Sequence, residues 1–144
     1  MAEVLLDASV LVPLLWTPHE AHTHVQHWFA RSAQNGWATC PFTQAAFVRI
    51  LCNPAFSRDA VRPSEAMKLL NENLGHPAHR FWPDDVPFLQ AVKPLASRIV
   101  GRQQVTDAYL LGLAIHNKGK LATMDRSLVS LLQADRQKEF VVLL

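Results

Sequence analysis

The chain has 144 residues, 49% of them hydrophobic and 18% charged, with five glycines. That is the profile of one ordinary globular domain, residues 1–144, with a full-sized core, and it excludes extended disorder and fibrous repeats. Fourteen Lys and Arg against twelve Asp and Glu give a formal charge of +2, too small for bulk attraction to a polyanion, so any nucleic-acid contact has to be local. Nine of the positive charges are Arg, whose planar fork matches phosphate oxygens in pairs.

Short apolar runs suited to buried strands fall at 4–6, 38–40, 80–82, 121–123 and 140–144. Helical spacing fills 9–16, 20–34, 43–51, 63–73, 87–100, 106–117 and 126–133. This alternation predicts a parallel sheet covered by helices. Pro63 suits a first helical turn because it has no N–H to lose there, and Asn53-Pro54 ends the third helix. Asn35-Gly36 and Asn117-Lys118-Gly119 place residues tolerant of left-handed backbone where helices must turn into strands.

Cys40 and Cys52 offer neither a disulfide framework nor a zinc spacing, which points to a reducing cytoplasm. The opening MAEVLLDASVLVPLLW is apolar, but Asp7 interrupts it and no basic region leads it, so it does not read as a signal peptide. No apolar run nears the roughly 20 residues that span a bilayer.

In an open parallel sheet, ligands bind beyond the strand C-termini. Asp7 closes the first strand and Asp125 follows the fourth, while Asp107 opens the helix that leads into the fourth. Three acids from distant parts of the sequence can thus converge, and such a cluster repels itself unless a cation fills it. Mg²⁺ or Mn²⁺ suits an all-oxygen site of this kind, and such ions serve phosphodiester hydrolysis. Each acid also has a plain structural reading, as a helix cap or a first-turn acid facing the helix dipole.

Three segments carry a resemblance: VLLDAS, CPFTQAAFVRILCNP and QVTDAYLLGLAIHNKGKLATMDRSL. In order and spacing the chain resembles the PIN-domain ribonucleases, in particular the VapC-type toxins of bacterial toxin–antitoxin pairs. The resemblance implies a three-layer α/β/α fold with a parallel five-stranded sheet in the order 3-2-1-4-5. It also implies metal-dependent RNA cleavage by an activated water, a cognate antitoxin that blocks the site, and a homodimer within the toxin–antitoxin complex. The RNA is a tRNA, an rRNA or an mRNA. By position, the family's first, third and fourth acids are Asp7, Asp107 and Asp125, the implied metal ligands. The second, a Glu in the family, is Gln44, which keeps the shape but removes a charge. The alternative function is therefore a catalytically weakened PIN-fold protein that binds RNA or a partner.

Other features are weighed against this reading. His19, His22, His24 and His27 spread too widely around a helix to share one ion. Among the arginines, Arg49 and Arg126 lie nearest the acids and are candidate phosphate contacts, with Arg58, Arg62, Arg80, Arg98 and Arg102 more scattered. Trp16, Trp37 and Trp82 read as packing, and Asp84-Asp85 lie beyond an edge strand. Thr123 offers a hydroxyl at the edge of the site. Leu14, Leu15, Trp16, Phe47 and Leu51 are expected to leave an exposed groove for an amphipathic antitoxin helix. No GxxxxGK[ST] or GxGxxG occurs, which excludes the P-loop and dinucleotide classes.

Overall fold

In the computed structural model, which describes residues 2–56 and 61–144, five short strands form one sheet. They are β1 (Val4–Leu6), β2 (Trp37–Thr39), β3 (His79–Phe81), β4 (Lys120–Thr123) and β5 (Val141–Leu143). The order is β3-β2-β1-β4-β5 and every pairing is parallel, as the resemblance implies. Alternation along the strands splits the core into two. Leu5, Ala38 and Leu121 face one apolar cluster, and Leu6, Trp37 and Ala122 face the other. β1 and β4 lie side by side inside the sheet, which is why their ends form its chemical centre.

One face carries α1 (Ala8–Leu15), α2 (His22–Ser32), α3 (Pro41–Leu51) and α4 (Pro63–Leu74). Here the expected antitoxin groove is corrected. Phe47 and Leu51 are fully buried, Leu15 is buried, and Leu14 and Trp16 pack on the same cluster. The packing of α1 against α3 and α4 consumes these apolar side chains, so they are core and not a groove. α3 starts at Pro41, two residues earlier than its predicted start, because Pro fits the first turn.

The other face carries α5 (Phe88–Val92), α6 (Val105–His116), α7 (Arg126–Val129) and the end of α8 (Ala134–Phe140). The helix predicted over 87–100 breaks after Val92 into a 3-10 segment, Lys93–Arg98, where Pro94 cannot donate a hydrogen bond. A second 3-10 turn, Arg102–Gln104, leads directly into α6. α7 stops at Val129, short of its predicted end, and α8 occupies a stretch predicted as loop and the start of a strand. Phe140 therefore closes a helix instead of opening β5.

Two glycines admit close approaches. A Cβ on Gly112 would sit 2.1 Å from the Ala91 carbonyl oxygen, so α5 and α6 touch backbone to backbone there. A Cβ on Gly119 would meet Glu3 O and Trp82, both at 2.6 Å. The left-handed residue of that turn is its neighbour Lys118, with φ 56°. Trp37 and Trp82 are core residues, and Trp82 donates its indole N–H to Glu3 at 2.9 Å. No helix among the described residues is long and apolar enough to cross a membrane.

Candidate active site

β1 ends at Leu6, and the next residue, Asp7, caps α1 by accepting from the Ala8 N–H at 2.8 Å. Its backbone N–H still follows the sheet, donating to Ala122 O at 3.0 Å. The carboxylate is further held by two hydroxyls on Oδ2: Ser9 Oγ donates at 2.8 Å and Thr123 Oγ1 at 2.9 Å. Thr123 is fully buried at the end of β4, and its oxygen accepts from the Asp125 N–H at 3.0 Å. Ser9 Oγ in turn accepts from the Met124 N–H at 3.0 Å. Two hydroxyls therefore stitch the ends of β1 and β4 together and fix the Asp7 carboxylate.

Asp125 caps α7, with Oδ1 accepting from Ser127 N at 2.9 Å and Ser127 Oγ at 2.7 Å. The structural and chemical readings of Asp7 and Asp125 thus coexist in the same side chains. Asp107 lies in the first turn of α6 and is half-buried. Burial, then the charge of Asp7, then that of Asp125 push its carboxyl up from 3.8 to about 6. The three acids thus feel one another although they come from distant parts of the sequence.

A cleft of about 210 Å³ opens beside them, lined by Asp7 and Ala8, by Phe42, Thr43, Ala46, Arg49 and Ile50 of α3, and by Thr106, Asp107 and Leu110 of α6. Arg49 lines it without a carboxylate partner among the described residues. Gln44 does not line this cleft. Its amide donates to Thr39 Oγ1 at 2.9 Å, and that oxygen also bonds His79 Nε2 at 2.8 Å. Burial holds the His79 imidazole below its usual pKa, which suits it to act as the acceptor here. The structure thus places Asp7 and Asp107 on one cleft, links Asp7 through Thr123 to the backbone of Asp125, and leaves Gln44 tied to the end of β2.

Among the described residues, no three His, Cys, Asp or Glu groups stand close enough to enclose one ion. The donors nonetheless fit a hard cation in kind. They are carboxylate and hydroxyl oxygens carrying negative charge that no ion pair neutralises among the described residues. Mg²⁺ keeps several waters and is commonly held by one or two carboxylates together with substrate phosphates, so a closed cage is not required.

The other sequence candidates lie apart from this centre. His19 Nδ1 accepts from Ala21 N at 3.0 Å and His22 Nδ1 meets Pro13 O at 2.8 Å, so both serve local structure. Arg62 pairs with Glu65 at 2.7 Å and Arg80 with Glu3 at 3.7 Å, while Arg58 lies outside the described residues. Sequence reasoning missed Ser9 as a site residue. The available signal was its place two residues after Asp7, where a hydroxyl can bond the capping carboxylate.

A five-stranded parallel sheet in this order, with helices on both faces and Asp7 and Asp125 just past the ends of the neighbouring strands β1 and β4, defines an α/β/α protein of the PIN type. The chain belongs to the PIN-domain family, whose model matches residues 4–131. It is 41% identical over 129 residues to ribonuclease VapC38 of Mycobacterium tuberculosis H37Rv, covering 90% of this chain and 89% of that protein. It is 38% identical over 128 residues to ribonuclease VapC29 of the same organism, covering 89% and 90%. Two solved structures share the fold. PAE2754 from Pyrobaculum aerophilum superposes with a TM-score of 0.63 at 21% identity, over 97% of this chain and 83% of that one. A VapBC2 structure from Rickettsia felis, bound to a promoter DNA fragment, gives 0.61 at 10% identity over 99% and 98%.

Proposed function

We propose that this protein is the ribonuclease toxin of a toxin–antitoxin pair, acting in the cytoplasm and hydrolysing RNA phosphodiesters at the edge formed by Asp7, Asp107 and Asp125 with Mg²⁺ or Mn²⁺. The observation that carries this reading is the cleft lined by both Asp7 and Asp107 together with Arg49, unpaired among the described residues, where burial and the charges of Asp7 and Asp125 also raise the Asp107 carboxyl. Unneutralised carboxylates kept together are costly to a fold unless something positive joins them. The VapC ribonucleases that the chain resembles over nearly its whole length supply the substrate class.

In this reading Asp7, Asp107 and Asp125 hold the ion, which when bound supplies the positive charge that favours attack on a phosphodiester. Ser9 and Thr123 hold Oδ2 of Asp7 while the Ala8 N–H holds Oδ1, which fixes the carboxylate at the cleft. Asp107 presents a half-buried carboxylate to the same cleft. Arg49 offers a guanidinium to a phosphate entering the cleft. Gln44, in the position of the family's second acid, steadies the end of β2 through Thr39.

The partners are a cognate antitoxin that covers the acids and a second copy of this chain within the complex. The deciding experiment is metal-dependent cleavage of total RNA by the parent and by Asp7→Asn, with and without the product of a small neighbouring reading frame. Cleavage that requires metal and Asp7 and is silenced by that product supports the proposal. RNA binding without cleavage by the parent would instead favour a catalytically weakened binding protein.

A further inference from the structure

The arginines divide by location. Arg62 and Arg80 are paired with carboxylates, Arg98 donates to Ser130 O at 3.3 Å, and Arg136 lies 5.1 Å over the Phe140 ring. Arg31, Arg49, Arg102 and Arg126 have no such partner among the described residues; of these, Arg49 lines the acidic cleft, Arg126 follows Asp125, and Arg102 lies in the turn that leads into α6. Unpaired guanidinium groups beside an acidic centre are poor at stabilising a fold, yet well suited to a ligand that carries negative charge at intervals.

Arg102 lies in a groove of about 380 Å³, lined by Val100, Gly101, Arg102, Gln103, Gln104 and Ser127. This groove is joined to the acids: Ser127 Oγ donates to Asp125 at 2.7 Å, and Gln104 Nε2 donates to Ser127 O at 3.2 Å. Gln104 Oε1 also accepts from the Val100 N–H at 2.9 Å, so one side chain pins the loop that carries Arg102 against α7. The Arg49 cleft belongs to α3, which follows β2. The Arg102 groove abuts α7, which follows β4. In the order β3-β2-β1-β4-β5 those two strands flank β1, whose end carries Asp7. The ends of β2 and β4 are about two interstrand spacings apart, roughly 10 Å.

We propose that the Arg102 groove is a second phosphate subsite for single-stranded RNA, so that the strand enters along Arg49, crosses the acids and leaves along Arg102 and Gln103. This rests on the ribonuclease reading above. It adds a contact with the backbone beyond the scissile phosphate, made by a residue outside the three quoted motifs. Arg102 reads the polyanion and not the base, so its effect is uniform across sequences and sensitive to salt.

The test uses fluorescent oligouridylates of graded length with the Asp7→Asn protein, alone and carrying Arg102→Ala or Arg31→Ala. Arg31 is an exposed arginine in the last turn of α2, near the opposite end of the sheet. Arg102→Ala is expected to weaken binding of the longer oligomers more than the shortest. It should also lower the slope of log affinity against log salt by about 0.7, the loss of one single-strand phosphate contact. In the cleaving protein Arg102→Ala should raise KM more than it lowers kcat, and Arg31→Ala should behave as the parent. Equal salt slopes for Arg102→Ala and Arg31→Ala would overturn the subsite while leaving the nuclease reading standing. So would intact RNA binding with a weakened antitoxin complex, which would make the groove a protein-docking surface. A parent that neither binds nor cleaves RNA would overturn the functional reading itself.

Discussion

The Thr123 hydroxyl donates to Asp7 Oδ2 at 2.9 Å, across 116 positions of sequence. Because Thr123 is fully buried and also accepts from the Asp125 N–H, one hydroxyl sets the positions of two of the three acids. Thr123→Val keeps the shape and removes both roles. It leaves the part-buried Asp125 N–H without this partner and Asp7 Oδ2 with Ser9 alone, so a loss of about 1–2 kcal/mol is expected. Cleavage should fall further than stability alone explains, and Thr123→Ser should recover most of both. Thermal melts set beside single-turnover cleavage rates check this; equal rates for Val and the parent would remove Thr123 from any positioning role.

Asp7→Asn, Asp107→Asn and Asp125→Asn should each abolish RNA cleavage and keep the fold. Asn caps helices as well as Asp does, so the ends of α1 and α7 survive the change. Circular dichroism tests the fold and cleavage of total RNA tests the activity. A variant that cleaves at the parent rate would strike its residue from the site.

The raised Asp107 carboxyl has a definite pH signature. Its folded pKa of about 6 lies above the ordinary 3.8, so the folded state holds this proton more tightly than the unfolded chain. Its contribution to stability is complete below about 4 and is lost as pH rises through about 6. For a half-exposed group the loss is roughly 1–2 kcal/mol after solvent screening. Metal-free Asp107→Asn should therefore melt higher than the parent at neutral pH and show a flatter pH profile. Saturating Mg²⁺ should narrow the difference by stabilising the parent. Melting curves of the two proteins that run parallel from acid to neutral pH would contradict the electrostatic argument.

Gln44→Glu adds a charge next to Thr43, a wall of the cleft. The amide at position 44 is on Thr39 and the residue does not line the cleft. The expected gain in Mg²⁺ affinity is therefore on the order of 1 kcal/mol, about fivefold in the half-saturating concentration. Isothermal Mg²⁺ titrations read it directly. Identical titrations would confine position 44 to its link with Thr39 and His79.

The strands, and Asp7 and Asp125 just past two of them, were legible because each rests on a local pattern: a short apolar run, or an acid at the end of one. α8 was not, because residues 134–140 read ADRQKEF, with little apolar periodicity before Phe140. The break after Val92 had a visible cause in Pro94, but the apolar spacing of the segment masked it. The hydrogen bond from Gln44 to Thr39 depends on how α3 sits over β2 and β3, which no local pattern encodes. The supposed groove failed for a related reason. Apolar residues in excess along one helix reveal a need for burial but not whether the chain itself meets it, and α1, α3 and α4 meet it among themselves.

Asp7 and Asp125 each cap a helix with the same carboxylate that faces the acidic centre. This sharing constrains how such a protein can lose its activity in a growing population. Substitution by Asn silences the chemistry and spares the caps, so the chain should persist at normal abundance and still compete for its antitoxin. Substitution by Ala or Val at the same positions removes a cap of about 1 kcal/mol as well, and the less stable chain becomes easier prey for proteases. Inactive lineages selected for survival should accordingly fall into two groups on an immunoblot, abundant with Asn at position 7 or 125 and depleted with Ala or Val.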